Sequence, residues 1–169
     1  MMRLPNLLFL LLTLFLAPLF CSQALATGSA QQAEDEAAIK ALFSSYMNKY
    51  NGYIQGKSLE HVEQLYMPRV MLMSSANPPV AMSADEFGKQ VVVFLDGLKS
   101  KGVASVNWQQ VNVRLIDTNI AIATNLAVRY RDNGEVFNKV GATYFLYKTG
   151  KNWRIASFAV HEHTGVQTL

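Results

Sequence analysis

The chain has 169 residues, of which 50% are hydrophobic and 16% are charged, and its formal net charge is +3. This length suits one domain with a real core. The basic residues are scattered, which gives no footprint for nucleic acid. The sequence contains no metal-binding box, nucleophile triad or phosphate-binding loop, so we expect neither a metal nor another cofactor.

The first 26 residues have the pattern of a cleaved secretory signal. Arg3 supplies a positive charge, Leu7 to Leu16 form an apolar run too short to cross a bilayer, and Ala24-Leu25-Ala26 has the small-x-small pattern of a cleavage site. We therefore expect cleavage after Ala26 and export to the periplasm or the medium. The mature chain is expected to have no membrane attachment.

Two alternatives to cleavage are considered for this segment. An uncleaved anchor would need about 20 apolar residues, and Pro18 interrupts the run. Lipidation at Cys21 would require a small residue before the cysteine, where the chain has the bulky Phe20. Since Cys21 is the single cysteine, packing alone must hold the mature domain together and no thiol chemistry is indicated.

Residues 27–33 are small and polar, which predicts a flexible lead-in to a single domain over residues 34–165. The first helix is predicted from Glu34 to Tyr50, because apolar residues recur there at spacings of three and four. A second, short helix is predicted from Ser58, as N-cap, to just before Pro68. Between the two, Asn51-Gly52 indicates a break in the helical pattern.

Two short strands are predicted at Arg69–Met73 and Val80–Met82, joined across Asn77-Pro78-Pro79. A third helix follows, since Ser83 begins a capping box. Asp85 and Glu86 could be mistaken for a catalytic carboxylate pair, but their place in the first turn explains them as capping groups.

Four strands of roughly 10 to 14 residues are predicted from Val103 onward, long enough to require a strongly bent and twisted sheet. Asp117-Thr118-Asn119, Asn133-Gly134 and Thr149 to Asn152 mark the hairpin turns. The second of these strands has two faces. We expect its face of large residues, Ile120, Ile122, Thr124, Leu126, Val128 and Tyr130, to meet the helices. We expect the face with Ala121, Ala123, Ala127, Arg129 and Arg131 to point outward and to form a homodimer interface.

The order of these elements, together with the terminal run Gly150-Lys151-Asn152-Trp153-Arg154-Ile155, resembles the nuclear transport factor 2-like superfamily, including its SnoaL-like and ketosteroid isomerase-like members. The resemblance covers Glu34 to His163. It implies an α+β cone in which three helices of the N-terminal half pack in a strongly curved, mainly antiparallel sheet, with a pocket at the open end. The superfamily contains isomerases, dehydratases, epoxide hydrolases and cyclases, and a shared fold does not transfer a reaction.

Three tyrosines are candidates for the wall of that pocket. Tyr46 and Tyr50 lie on the apolar face of the first helix, and Tyr130 ends the face of its strand expected to point inward. A phenol there could donate a hydrogen bond to a bound carbonyl or enolate. The alternative is that these are core tyrosines whose hydroxyls are satisfied within the protein.

His161 and His163 are the second group of candidates. Strand alternation would place both on the same side as Trp153 and Ile155, where they could bind a ligand or, for His161, transfer a proton. A zinc site would need a third ligand, and nothing in the spacing shows that His61 reaches the pair. The remaining interpretation is a solvated end of the last strand.

We therefore expect an exported domain that binds a small, mostly apolar molecule in a tyrosine-lined pocket, without a recognisable catalytic set. The carboxylates of catalytic relatives project from the sheet into the cavity, whereas here only Asp117, Asp132 and Glu135 occur, near hairpin ends. The first alternative is a lyase or isomerase that uses His161 or Tyr46 as acid or base. The second is a dimeric interaction module whose cone is filled.

Overall fold

The computed structural model describes residues 19–59 and 64–166, with side chains from residue 28 onward. The chain divides into two compact units, residues 1–35 and 36–169. In chain order the elements are α1 (Leu19–Ile54), β1 (Tyr66–Ser74), β2 (Asn77–Ser83), α2 (Ala84–Ser100), β3 (Val103–Asp117), β4 (Ile120–Arg131), β5 (Val136–Thr149), β6 (Asn152–His161) and the 3₁₀ turn η1 (His163–Gly165). The predicted α+β class is confirmed.

Helix α1 contains the first predicted helix but extends beyond both of its ends. Residues 27–33, predicted as a flexible lead-in, lie within α1, in a stretch where alanine and glutamine favour helix. At the other end the helix continues through Asn51-Gly52 to Ile54. The Asn51 side chain explains this, because it donates to the carbonyl of Val106 and accepts from the N–H of Val106, both at 2.8 Å. The contact between Asn51 and Val106 thus keeps this segment helical, although Asn51-Gly52 alone would favour a break.

The second predicted helix, residues 58–67, falls partly on residues 60–63, which lie outside the described residues. Its described ends are not helical, and β1 already begins at Tyr66, so that Pro68 lies inside a strand rather than after a helix. The register between β1 and β6 shifts between Tyr66 and Met71, which accommodates the missing N–H of Pro68. The described part of the chain therefore has two α-helices where the sequence predicted three.

Helix α2 begins as the sequence predicts. The Ser83 hydroxyl accepts from the N–H of Glu86, and the Glu86 carboxylate accepts from the N–H of Ser83 at 2.8 Å. This capping box accounts for Glu86 as a structural group. The buried residues of α2 are Phe87, Val91, Leu95 and Leu98, and their spacing faces them all toward the sheet. Neither described helix has a stretch long and apolar enough to cross a bilayer.

The six strands form one open, curved sheet in the order β2-β1-β6-β5-β4-β3. All neighbours pair antiparallel except β1 and β6, which pair parallel. The predicted strands at 69–73 and 80–82 are the centres of β1 and β2, and the turn between them is Ser75-Ala76 rather than Asn77-Pro78-Pro79. The architecture is the expected cone, with α1 and α2 against the concave side of the sheet.

The two faces of β4 are reversed relative to the prediction. Ala121 and Ala123 are completely buried and belong to the hydrophobic core, whereas Ile120 on the opposite face is 40% exposed. The concave side of a curved sheet is crowded, so small residues there let the aromatic side chains of α1 approach the strand. The alanine face predicted as an outer surface is therefore the inner one.

Candidate functional site

A cavity of about 210 Å³ lies between the two helices and the concave side of the sheet. It is larger than the roughly 150 Å³ apolar cavity that suffices to bind benzene. Its wall is mainly aromatic and aliphatic. The lining residues are Tyr46, Met47, Tyr50, Leu72, Phe87, Gln90, Val91, Phe94, Leu98, Val106, Trp108, Ala127, Arg129, Val140, Ala142, Tyr144, Phe158 and Val160.

The predicted pair Tyr46 and Tyr50 lies on this wall, one helical turn apart on α1, with ring centroids 4.2 Å from each other. The Tyr46 ring is also 5.4 Å from Trp108 and 6.3 Å from Tyr144. Trp108 is held by its indole N–H, which donates to the carbonyl of Phe43 at 2.9 Å. These edge and tilted contacts fix the rings at distances typical of favourable aromatic pairs.

The tyrosine hydroxyls form a buried cluster. The hydroxyls of Tyr50 and Tyr66 are 3.3 Å apart and share a hydrogen bond. Burial raises the pKa of Tyr46, and hydrogen bonds with neighbouring tyrosines only partly oppose this effect. Burial likewise raises the pKa of Tyr50, Tyr66 and Tyr144 well above the ordinary value. All four phenols stay protonated at neutral pH, so they can donate hydrogen bonds but are poor proton acceptors.

Arg129 is the single charged side chain on the cavity wall among the residues that the structure describes. Its guanidinium carbon lies 5.2 Å from the ring centroid of Phe94 on α2, a cation–π contact. Burial lowers the pKa of Arg129, and the phenols of Tyr46 and Tyr144 act in the opposite direction. The sequence prediction had placed this residue on the outer face.

Tyr130 is separated from the other two candidate tyrosines. The pairing of β4 with β5 shifts register between Arg129 and Tyr130. Arg129 lines the cavity and Tyr130 does not. Tyr130 is half-buried on its strand, opposite Ser105 of β3.

His161 lies on the convex side of the sheet, away from the cavity. Leu146 pairs with Ile155 and Phe145 pairs with Ser157, so Ala156 is an extra residue that reverses the alternation of β6. The His161 ring covers Gly141, where a Cβ atom would come within 2.7 Å of it. Its Nε2 is 3.0 Å from the Thr143 hydroxyl and its Nδ1 is 2.8 Å from the carbonyl of Glu162. A carbonyl only accepts, so Nδ1 is the donor.

His163 is exposed in the 3₁₀ turn after β6, so the sheet does not bring it beside the cavity tyrosines. In the part of the chain that the structure describes, no three histidine, cysteine, aspartate or glutamate side chains gather into a possible metal site. Asp117, Asp132 and Glu135 are exposed near hairpin turns. Neither a histidine nor a carboxylate is among the described residues of the cavity wall.

Sequence reasoning missed the sheet side of the cavity: Trp108, Arg129 and Tyr144 were not candidates. Trp108 adjoins a register shift in β3, and Arg129 adjoins one in β4, so simple alternation does not predict their faces. Tyr144 alternates regularly with its buried neighbours Ala142 and Leu146. That period-two pattern was the available signal for Tyr144.

Solved structures with the same fold are similar to this chain at low sequence identity. An NTF2-like protein with a cystatin-like fold from Novosphingobium aromaticivorans aligns with a TM-score of 0.60 and 13% identity, over 83% of this chain and 89% of that one. An uncharacterised protein from Caulobacter vibrioides aligns at 0.55 and 15%, over 76% and 89%. The hexachlorocyclohexane dehydrochlorinase LinA-type3 from Novosphingobium barchaimii aligns at 0.54 and 8%, over 78% and 88%. At such identities the likeness shows the fold alone.

No curated protein matches the chain. The family model described as NTF2-like protein (DUF6841) matches residues 33–163, most of the chain. This range contains the tyrosine cluster, Arg129 and every other residue of the cavity wall. The protein therefore belongs to the NTF2-like family DUF6841.

Proposed function

We propose that this protein binds a small, mostly apolar molecule in the cavity between its helices and the concave side of the sheet. The observation that carries the proposal is the cavity of about 210 Å³ with a wall of aromatic and aliphatic side chains and few polar groups. Apolar walls with a few fixed donors are typical of small-molecule sites. The volume of the cavity suits a molecule of one or two rings.

The position of His161 and the protonation of Tyr46 argue against the alternative of a lyase or isomerase. His161, the expected acid or base, is on the convex side of the sheet with both ring nitrogens in hydrogen bonds. Burial raises the pKa of Tyr46, so at neutral pH its phenol is protonated, cannot accept a proton, and is a weaker acid than a solvent-exposed tyrosine. We therefore favour binding over catalysis for this cavity.

Native mass spectrometry of the protein purified from its own host tests the proposal, followed by denaturation and identification of any released molecule. The matched variant is Ala127→Leu, which fills the cavity from β4, and the control is Ala81→Leu, on the exposed side of β2. We expect wild type and Ala81→Leu to carry the same bound molecule and Ala127→Leu to be empty. An empty wild type that is also unaffected by a panel of aromatic compounds in thermal-shift assays would contradict the proposal and favour a filled interaction module.

Export is part of the same proposal. Arg3, the run Leu7–Leu16 and the Ala24-Leu25-Ala26 site support it. Cleavage after Ala26 would leave every cavity residue in the mature chain. N-terminal sequencing of the protein recovered from its host is expected to begin at Thr27, and recovery of the uncut chain from the cytoplasm would contradict export.

A further inference from the structure

We propose that the ligand of this cavity carries a carboxylate, and that Arg129 binds this group while the aromatic wall holds the apolar body. This inference rests on the proposed function and adds the chemical class of the ligand. It concerns aromatic or other compact apolar carboxylic acids of one or two rings.

The charge balance of the wall is the first argument. Arg129 lines the cavity and is half-buried, and no carboxylate is among the described groups whose charge acts on it. A partly desolvated guanidinium without a counter-ion favours an anion, since charge-assisted hydrogen bonds are about twice as strong as neutral ones. The rest of the described wall carries no charge that would compete for it.

The geometry around Arg129 is the second argument. Its backbone lies near the end of β4, one strand in from the sheet edge, and is paired on both sides, with Val106 of β3 and Asn138 of β5. Its guanidinium contacts the face of Phe94, which is 43% exposed. The cation is therefore held at the wetter side of the cavity, where a charged group can keep part of its hydration. Such prior placement reduces the entropy lost on binding.

The number of hydrogen-bond donors and the single positive charge at Arg129 decide which anion fits. A single guanidinium offers two parallel N–H donors, which match the two oxygens of one carboxylate. A phosphate ester would bring a charge of about −1.5 to −2 against one cation. The protonated phenol of Tyr46 also lies on the cavity wall and can donate one hydrogen bond to the ligand.

Three probes with the same naphthalene body test the inference: naphthoate, the neutral naphthalene carboxamide, which has nearly the same shape, and the longer naphthylmethylphosphate. Binding is measured by isothermal titration calorimetry with the mature protein. We expect naphthoate to bind at least about tenfold more tightly than the carboxamide, the difference for one charge-assisted pair, and more tightly than the phosphate.

Arg129→Gln and Arg129→Lys are the variants, and Arg114→Gln, at an exposed position on β3, is the matched control. Arg129→Gln is expected to abolish the preference for naphthoate over the carboxamide, Arg129→Lys to retain part of it, and Arg114→Gln to retain all of it. Circular dichroism checks that each variant is folded.

The outcomes separate the two proposals. If naphthoate and the carboxamide bind wild type equally, or if the preference survives in Arg129→Gln, the carboxylate inference is wrong while the binding function stands. If no probe binds wild type, and if native mass spectrometry finds no difference in bound molecules between Ala127→Leu and wild type, both proposals are overturned. A preference for the phosphate would assign Arg129 to a different anion and would also overturn the inference.

Discussion

Asn125 is a completely buried amide in the middle of β4, on the inner face between Ala123 and Ala127. Neither its Oδ1 nor its Nδ2 makes a hydrogen bond within the described part of the protein. A buried polar group in this state costs about 1–3 kcal/mol. Its cross-strand partner Ala142 lines the cavity, so the amide lies beside the proposed ligand site.

Replacing this amide by an apolar side chain with the same number of heavy atoms should stabilise the fold. We expect Asn125→Leu to raise the free energy of unfolding by about 1 kcal/mol or more, because the desolvated amide is removed. Urea unfolding measures this, with Asn138→Leu at an exposed position of β5 as control. A destabilised Asn125→Leu would show that the amide has a partner in solution.

The buried tyrosines predict how stability changes at high pH. The pKa values of Tyr46, Tyr50, Tyr66 and Tyr144 are raised in the folded state by burial, from an unfolded value of 10.0. Below pH 10 these tyrosines are protonated in both the folded and the unfolded protein, so they do not make stability depend on pH. Above it the unfolded chain loses protons that the folded chain keeps, so stability falls by about 1.4 kcal/mol per pH unit for each tyrosine.

Tyrosinate absorbance is the measurement for this prediction. We expect the four buried tyrosines, Tyr46, Tyr50, Tyr66 and Tyr144, to ionise only as the protein unfolds. Tyr46→Phe should make the fall in stability shallower, whereas Tyr147→Phe, at an exposed position, should not. Ionisation of these four tyrosines before the protein unfolds would contradict the buried cluster.

The burial of individual side chains could be predicted where one period governs an element. Tyr46 and Tyr50 could be found because α1 keeps a helical spacing of buried residues from Ile39 to Ile54. His161 could not be placed, because the extra residue Ala156 reverses the alternation of β6. A bulge follows from backbone pairing with the neighbouring strand, and the alternation within one strand does not contain that information.

At the scale of elements, Asn51 is the link between α1 and the edge strand β3. It satisfies both backbone groups of Val106 at a sheet edge that no strand covers in the described residues. We expect Asn51→Ala to lower the free energy of unfolding by about 2 kcal/mol, for two hydrogen bonds of about 1 kcal/mol each. The control is Asn48→Ala, at an exposed position of the same helix. Equal urea midpoints for the two variants would contradict this role.

The cap of α2 and the hairpin turns between the long strands were predicted correctly, since each depends on a few adjacent residues, whereas the breaks expected at Asn51-Gly52 and Asn77-Pro78-Pro79 were not found. The Ser83–Glu86 capping box is present as expected, and Gly134 and Gly150 have positive φ angles in the predicted hairpin turns. The faces of β4 were assigned wrongly, because hydrophobicity favours the larger side chains inside. Curvature decided otherwise, since the small side chains of Ala121, Ala123 and Ala127 on the inner face leave room for the aromatic side chains of α1.

At the scale of the whole molecule, the homodimer stays a prediction, but different residues now support it. The alanines first assigned to the interface are in the core. The convex face instead exposes Ile120, Phe145 and Tyr147 by 40%, 50% and 42%. Ile120 pairs with Tyr147, and Ile122 pairs with Phe145, so these side chains form one apolar patch across β4 and β5. Exposed contiguous apolar patches of this kind mark interaction sites.

A second copy of the chain is the expected partner, because a two-fold axis through this patch would pair it with itself. Size-exclusion chromatography with light scattering should give twice the monomer mass at micromolar concentration. The double variant Phe145→Lys/Tyr147→Lys should give the monomer, since it places like charges opposite each other across the axis. Val93→Lys, on the exposed face of α2, should leave the dimer intact. A monomeric wild type would remove the dimer, and the cavity would then have to function within one chain.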